Sequence, residues 1–274
     1  MPTVKIFSKN ATYQKFEVLK SNRNKRYKYA EFLVEGVRNI NGALQNGWDI
    51  RSFLYAGGVP LSGWAEGLLN RVKTLVNYEL TPALMAQLSG KEDTSELMAV
   101  VAMREDKPER LVLSGNPVLA LFDRPSNRGN LGTILRSCDA LGVEALIITG
   151  HAVDLYDPEV VVSSMGSFFR VPALRLTDNG AVVDFIAELK RRFDGFQVIG
   201  TTAHRQHPLY GVDLTKPTLF MIGNETDGLC RAFKDSCDLL ATIPMAETAY
   251  ASSFNVGCAA TVMFYEAARQ RAPR

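Results

Sequence analysis

Three short segments carry side chains that core packing does not require: Ser126–Arg136 (SNRGNLGTILR), Gly223–Gly228 (GNETDG) and Pro244–Asn255 (PMAETAYASSFN). In the first, Asn130 can cap a helix, Gly129 and Gly132 permit close backbone approach, and Arg136 falls about one and two-thirds helical turns beyond Asn130. In the second, a Gly-Asn-Glu turn after the apolar run TLFMI puts the carboxylate of Glu225 where a polar ligand could be fixed. In the third, Ser253 or its neighbour can cap the last helix, so that Asn255 faces the other loops from the first turn. Taken singly, each is also what an ordinary cap, turn or surface charge looks like. A nicotinamide oxidoreductase is disfavoured: the G-x-G-x-x-G spacing is missing, and His151, not an acid, follows the second strand of this half.

The elements that must position these side chains alternate. From Pro117 onward, strands are expected at VLALF, ALIITG, ALRL, FQVIGTTA, TLFMIGN and LLATIPM. Helices are expected after Asn130, at PEVVVSSMGSFF, AVVDFIAELKRRF and LCRAFKDSC, and over the closing FNVGCAATVMFYEAARQR. Near-continuous apolar strands between helices imply a parallel sheet covered on both faces, with ligands beyond the carboxyl ends of its strands. DRPSNRGN, GTTAHRQ, GNETDG and PMAETAYASSFN are the loops at those ends. The earlier part reads as a smaller α/β unit: FLVEGVRNINGALQNGW at helical spacing, RSFLYAG as strand, GWAEGLLNRVKTLV as helix into strand, TPALMAQLSG as a helix capped by Thr81 with Pro82 in its first turn, and SELMAVVAM as strand. The expected division is 1–105, a linker at 106–116 rich in charge, Pro and Gly, and 117–274.

A net charge of +2 is too weak to argue for nucleic acid by itself, but its distribution is uneven. Lys5, Lys9, Lys15, Lys20, Arg23, Lys25, Arg26 and Lys28 face a single acid, Glu17, in the first thirty residues, with Tyr13, Phe16, Tyr27 and Tyr29 interleaved. Such a mixture suits a surface that tracks phosphates and stacks bases, and equally a solvated basic face. The four cysteines and three histidines lack metal-ligand spacing, which favours buried thiols and no metal. With no signal core and no bilayer-length apolar run, a cytoplasmic protein without membrane attachment is expected.

Together, GNLGTILR, IGNETDGL and IPMAETAYASSFNVGCAATVMFYE resemble, in order, the three motifs of the SpoU (TrmH-like, SPOUT superfamily) RNA ribose 2′-O-methyltransferases, a resemblance that spans about residues 116 to 271. The first half, with EFLVEGVRNI, is more loosely similar to the small L30-like substrate-binding domain of some members. The resemblance implies an α/β fold whose C-terminal domain is tied in a deep trefoil knot, S-adenosylmethionine as cofactor, and a homodimer whose subunits both contribute to the site. It assigns the reaction to Asn130, Arg136, Glu225, Ser253 and Asn255, and the cofactor site to Thr201, Ile222, Gly223, Ile243, Met245, Ser253 and Asn255. Arg128 and Arg170 join Arg23, Lys25 and Arg26 as candidates for RNA contact, with surface solvation the alternative for each. The two-domain layout favours structured rRNA over tRNA, and some relatives of this layout confer antibiotic self-resistance. A catalytically silent RNA-binding or ribosome-assembly protein of the same fold is the alternative from another class.

Overall fold

Apolar runs separated by amphipathic helices build two separate sheets in the computed structural model, which describes residues 1–203 and 207–272. The chain divides into Met1–Arg104 with Asp154–Arg170, and Glu105–Val153 with Val171–Arg274. In chain order the elements of the first stretch are β1 (Thr3–Ile6), α1 (Ala11–Ser21), α2 (Arg23–Tyr29), β2 (Glu31–Glu35), α3 (Val37–Gln45), β3 (Ile50–Ala56), α4 (Gly63–Arg71), β4 (Asn77–Leu80), α5 (Pro82–Ser89) and β5 (Leu97–Ala102). The strand order is β1-β4-β3-β5-β2, with β5 antiparallel to both neighbours. Tyr13, Phe16 and Leu19 of α1 and Leu84 and Leu88 of α5 cover one face, over Leu33, Leu54, Met98 and Val100. As expected, Thr81 caps α5 through its hydroxyl.

In this stretch two segments depart from the sequence reading, one being residues 72–76, where the expected strand is absent and β4 begins only at Asn77. Residues 32–35, expected at helical spacing, fall in β2, and the helix begins only after Gly36, whose φ of +97° ends the strand with a turn that a β-carbon would oppose.

The second stretch comprises β6 (Val118–Asp123), α6 (Arg128–Leu141), β7 (Ala145–Thr149), α7 (Pro158–Ser163), α8 (Ser167–Arg170), β8 (Ala173–Leu176), α9 (Asn179–Arg192), β9 (Gln197–Thr201), β10 (His207–Pro208), β11 (Thr218–Ile222), α10 (Arg231–Ser236), β12 (Leu239–Thr242) and α11 (Val256–Arg271). Its seven-stranded sheet runs β10-β12-β9-β11-β6-β7-β8, and every pair in it is parallel. Residues 106–116 are not a free tether: Leu111 is buried in this unit's core, Asp106 accepts from the Arg175 amide at 2.9 Å, and Arg110 donates to the Ala173 carbonyl. These contacts cover the edge strand β8, whose open backbone would otherwise invite pairing with another chain.

The span expected as one helix, PEVVVSSMGSFF, is two helices broken at Met165 and Gly166, both at positive φ. This segment belongs to the first unit, where Phe168, Phe169 and Tyr156 pack around Phe32 and Trp48, and the Trp48 indole donates to the Phe169 carbonyl at 2.8 Å.

Candidate active site

Because the strands of the second sheet are parallel, the loops after β6, β9, β11 and β12 emerge at one end, and side chains from three of them meet there. Glu225, in the loop after β11, accepts from the Ser126 amide (3.0 Å) and hydroxyl (2.8 Å) through Oε2. Its Oε1 accepts from the Asn127 amide and from Nδ2 of Asn130, both at 3.2 Å. Asn130 Oδ1 in turn accepts from Nδ2 of Asn255 at 3.1 Å. One row of hydrogen bonds thus joins the loops after β6, β11 and β12.

Helix ends hold the outer members of the row. The cap of α6 is Asn127, not Asn130: its carboxamide oxygen accepts from the Asn130 amide at 2.9 Å, which places Asn130 in the first turn with its side chain available to Glu225. The cap of α11 is Asn255 itself, accepting from the Gly257 and Cys258 amides, while Ser253 is exposed in the preceding loop and caps nothing. The two helices approach closely, since a β-carbon at Gly257 would lie 3.2 Å from Thr133, and the Ser137 and Thr261 hydroxyls meet at 2.7 Å. That approach brings Asn255 to Asn130.

Burial pushes the Glu225 carboxyl up, but hydrogen bonds from Ser126, with Asn130 adding to them, outweigh it and leave the group below its ordinary value. Four donors occupy the four acceptor sites of the carboxylate, so it is a strut and a poor proton acceptor. Arg136 is exposed on α6 and has no hydrogen-bond or ion-pair partner among the described residues. Its guanidinium is therefore available to an incoming anion.

Residues expected at the cofactor site lie on adjacent strands. Thr201 ends β9 and accepts from the Gly223 amide at 3.2 Å, which fixes the spacing between the ends of β9 and β11. Gly223 is required by a close approach: a β-carbon there would meet the backbone of Gly228 and Leu229 at 2.5 Å. Ile222 is buried, Ile243 and Met245 are half-buried after β12, and Ala246–Asn255 is exposed throughout. Apolar side chains, one hydroxyl and loop backbone are the donor set that suits a flat nucleoside, so the residues present fit S-adenosylmethionine. His204–Gln206 of the loop after β9 lie outside the described residues.

The candidates for RNA contact separate. Arg128 opens α6 and is exposed, Arg170 is exposed at the end of α8, Lys25 is half-buried, and Arg23 lies over the Tyr27 ring at 5.7 Å. Arg26 is not on the surface. Its side chain is 2% exposed and lies 2.7 Å from Asp154, with the Leu19 and Lys20 carbonyls as further acceptors. A charge so buried and paired is committed to the fold and cannot meet an RNA phosphate. Sequence reasoning also passed over Ser126, Asn127 and Asn224. Asn224 accepts from the Thr226 and Asp227 amides and closes the turn that presents Glu225. The signal available was an Asx residue at each turn start.

Residues 117–265 match the SpoU rRNA Methylase family, and residues 10–99 match the SpoU L30e-like domain. The chain belongs to the SpoU family. It is 43% identical over 268 residues to the 23S rRNA (uridine(2479)-2′-O)-methyltransferase of Streptomyces viridochromogenes, covering 97% of this chain and 92% of that protein. Among SpoU relatives, RlmB of Pseudomonas aeruginosa, a 23S rRNA (guanosine-2′-O-)-methyltransferase, is 31% identical over 213 residues, which is 78% of this chain and 75% of the relative. The crystal structure of the SpoU methyltransferase AviRb from Streptomyces viridochromogenes in complex with AdoMet superposes with a TM-score of 0.90, at 43% identity over 96% of this chain and 98% of that one. An AdoMet-bound rRNA methyltransferase from Sinorhizobium meliloti gives a TM-score of 0.82 at 26% identity, covering 99% of each chain.

Proposed function

We propose that this SpoU protein methylates the ribose 2′-hydroxyl of 23S rRNA with S-adenosylmethionine as methyl donor. The observation that carries the reading is the Glu225–Asn130–Asn255 row of hydrogen bonds, with the Arg136 guanidinium, which has no partner among the described residues, on the same helix as Asn130. Relatives matched over nearly the whole chain, both units included, are named for 23S rRNA, which supports rRNA over tRNA.

When bound, S-adenosylmethionine supplies an electrophilic methyl group on a sulfonium centre. The chain must then align a ribose oxygen with that methyl and stabilise the charge that grows on the oxygen. Glu225 locks the loop after β11 against the start of α6, Asn130 passes that constraint to Asn255, and Asn255 fixes the start of α11 beside the exposed loop that carries Ser253. Thr201, Ile222, Gly223, Ile243 and Met245 would hold the nucleoside. Arg136 clamps a phosphate and stabilises the ribose oxygen; it does not remove the proton, because a guanidinium stays protonated and has no acceptor. The reading also carries the trefoil knot of the C-terminal segment, a homodimer that completes the site, and a cytoplasmic location where its rRNA substrate is made.

The test is calorimetry with S-adenosylmethionine, followed by transfer of its labelled methyl to 23S rRNA and to tRNA in separate reactions. Binding with label in 23S rRNA alone supports the reading. Label in tRNA alone overturns the substrate, and binding without label in either RNA favours a silent RNA-binding protein.

A further inference from the structure

At the carboxyl end of β6, just before the loop that bears Asn127 and Asn130, a buried aspartate pairs with a half-buried arginine that the site as described does not use. Asp123 is 1% exposed at the end of an otherwise apolar strand. Its Oδ1 accepts from the Thr149 hydroxyl (2.9 Å) and Arg124 Nε (3.1 Å), and its Oδ2 from Arg124 Nη2 (3.0 Å) and the Cys230 amide (2.8 Å). Arg124 adopts the left-handed backbone at φ +48°, which costs free energy for a residue with a β-carbon. Its stem lies over Gly150, where a β-carbon would come within 2.6 Å of it.

The strained backbone places both ends of Arg124 on the Glu225 loop. Its carbonyl accepts from Asn224 Nδ2 at 2.6 Å, and Nη2 donates to the Gly228 carbonyl at 3.1 Å. Asn224 and Gly228 are themselves joined by two backbone hydrogen bonds of 3.1 and 3.0 Å. The loop is therefore a closed ring gripped at its two feet, and Glu225 stands on it. We propose that Arg124, held by Asp123, is a positioning residue that sets the Asn224–Leu229 loop for cofactor binding and acts on the reaction only through that loop. The inference rests on the reading of this loop as one wall of the S-adenosylmethionine site.

The informative variant is Arg124→Gly, which removes the guanidinium while relieving the left-handed backbone. If the loop then adopts its competent position about a tenth of the time, the dissociation constant and KM for S-adenosylmethionine rise about tenfold. In that case kcat at saturating cofactor stays within about twofold, because binding restores the loop. A merely structural role would lower kcat in step with the folded fraction and leave KM unchanged, and that result overturns the proposal. Amide exchange over Asn224–Cys230, measured on the ligand-free protein, reads loop position without relying on any activity. Faster exchange there in the variant is expected, and unchanged exchange overturns the proposal whether or not the wild type binds S-adenosylmethionine. Failure of the wild type to bind it, with exchange altered as expected, counts against the functional reading alone. Should Arg124→Gly not fold, Arg124→Lys, which keeps the cation but cannot bridge Asp123 and Gly228 together, carries the same tests with a smaller KM shift; no shift in KM and no change in exchange overturns the proposal.

Discussion

Oε1 of Glu225 and Nδ2 of Asn130 lie 3.2 Å apart although 95 residues separate them in the chain. With Ser126 and Asn127 on the same carboxylate and Asn255 on the far side of Asn130, this contact ties three loops together.

Glu225→Gln keeps the volume and loses the match. A carboxamide must present its NH2 to donors that the carboxylate now accepts from, leaving at least one of them unpaired. Losing a charge-assisted contact of this kind costs about 2–3 kcal/mol, so kcat/KM is expected to fall about 30- to 150-fold. Initial rates at subsaturating RNA check this; an unchanged value would remove Glu225 from the site.

The same carboxyl sets a pH window. Its value in the folded protein lies below the ordinary 4.5, so its contribution to stability is complete above 4.5 and is lost as pH falls through the lowered value. The stability difference between wild type and Glu225→Gln in urea titrations should therefore be constant from pH 7 to about 5 and shrink only in more acid solution. A difference already shrinking between pH 7 and about 6 would mean that the hydrogen bonds do not outweigh burial.

Arg26→Ala should cost about 3–5 kcal/mol of stability, because it leaves Asp154 buried without its partner. Lys25→Ala, one residue earlier and less buried, should stay within about 0.5 kcal/mol. Denaturant melts of the two variants separate them; equal, small effects would return Arg26 to the surface.

The thiols should differ in reactivity. Burial pushes the Cys237 thiol up to about 12 and Cys138 higher still, while Cys258 is exposed in the first turn of α11. Mass spectrometry after brief alkylation at about pH 8 should find Cys258 labelled, and Cys138 and Cys237 unmodified until the protein is denatured.

Much of the second unit was legible because its parallel strands are nearly continuous apolar runs, and VLALF, ALIIT and TLFMI have few other ways to be buried. The candidate residues could be named from three motifs in order, but their connections could not: Glu225 finds its partners 95 to 99 residues away, which no local pattern encodes. The same holds for Arg26, which reads as one more lysine or arginine of a basic segment until Asp154, 128 residues on, is seen beside it. Local competition explains the smaller departures. Asn127 and Asn130 are both good caps, and only the folded loop selects the first. In FLVEGVRNI a short strand runs into a helix with only Gly36 between them, so helical spacing hides the strand until the positive φ of Gly36 divides them.

The central claim is that this site methylates a ribose oxygen with Arg136 stabilising the charge on that oxygen. The most direct measurement is alkaline hydrolysis of 23S rRNA labelled from S-adenosylmethionine by the wild type and by Arg136→Ala, with cofactor binding of each measured by calorimetry. The account predicts label in alkali-resistant dinucleotides for the wild type, and a loss of about 10²–10³ in rate for the variant, with cofactor affinity held within about threefold. Label released as mononucleotides, or a variant that loses cofactor binding along with turnover, would contradict it.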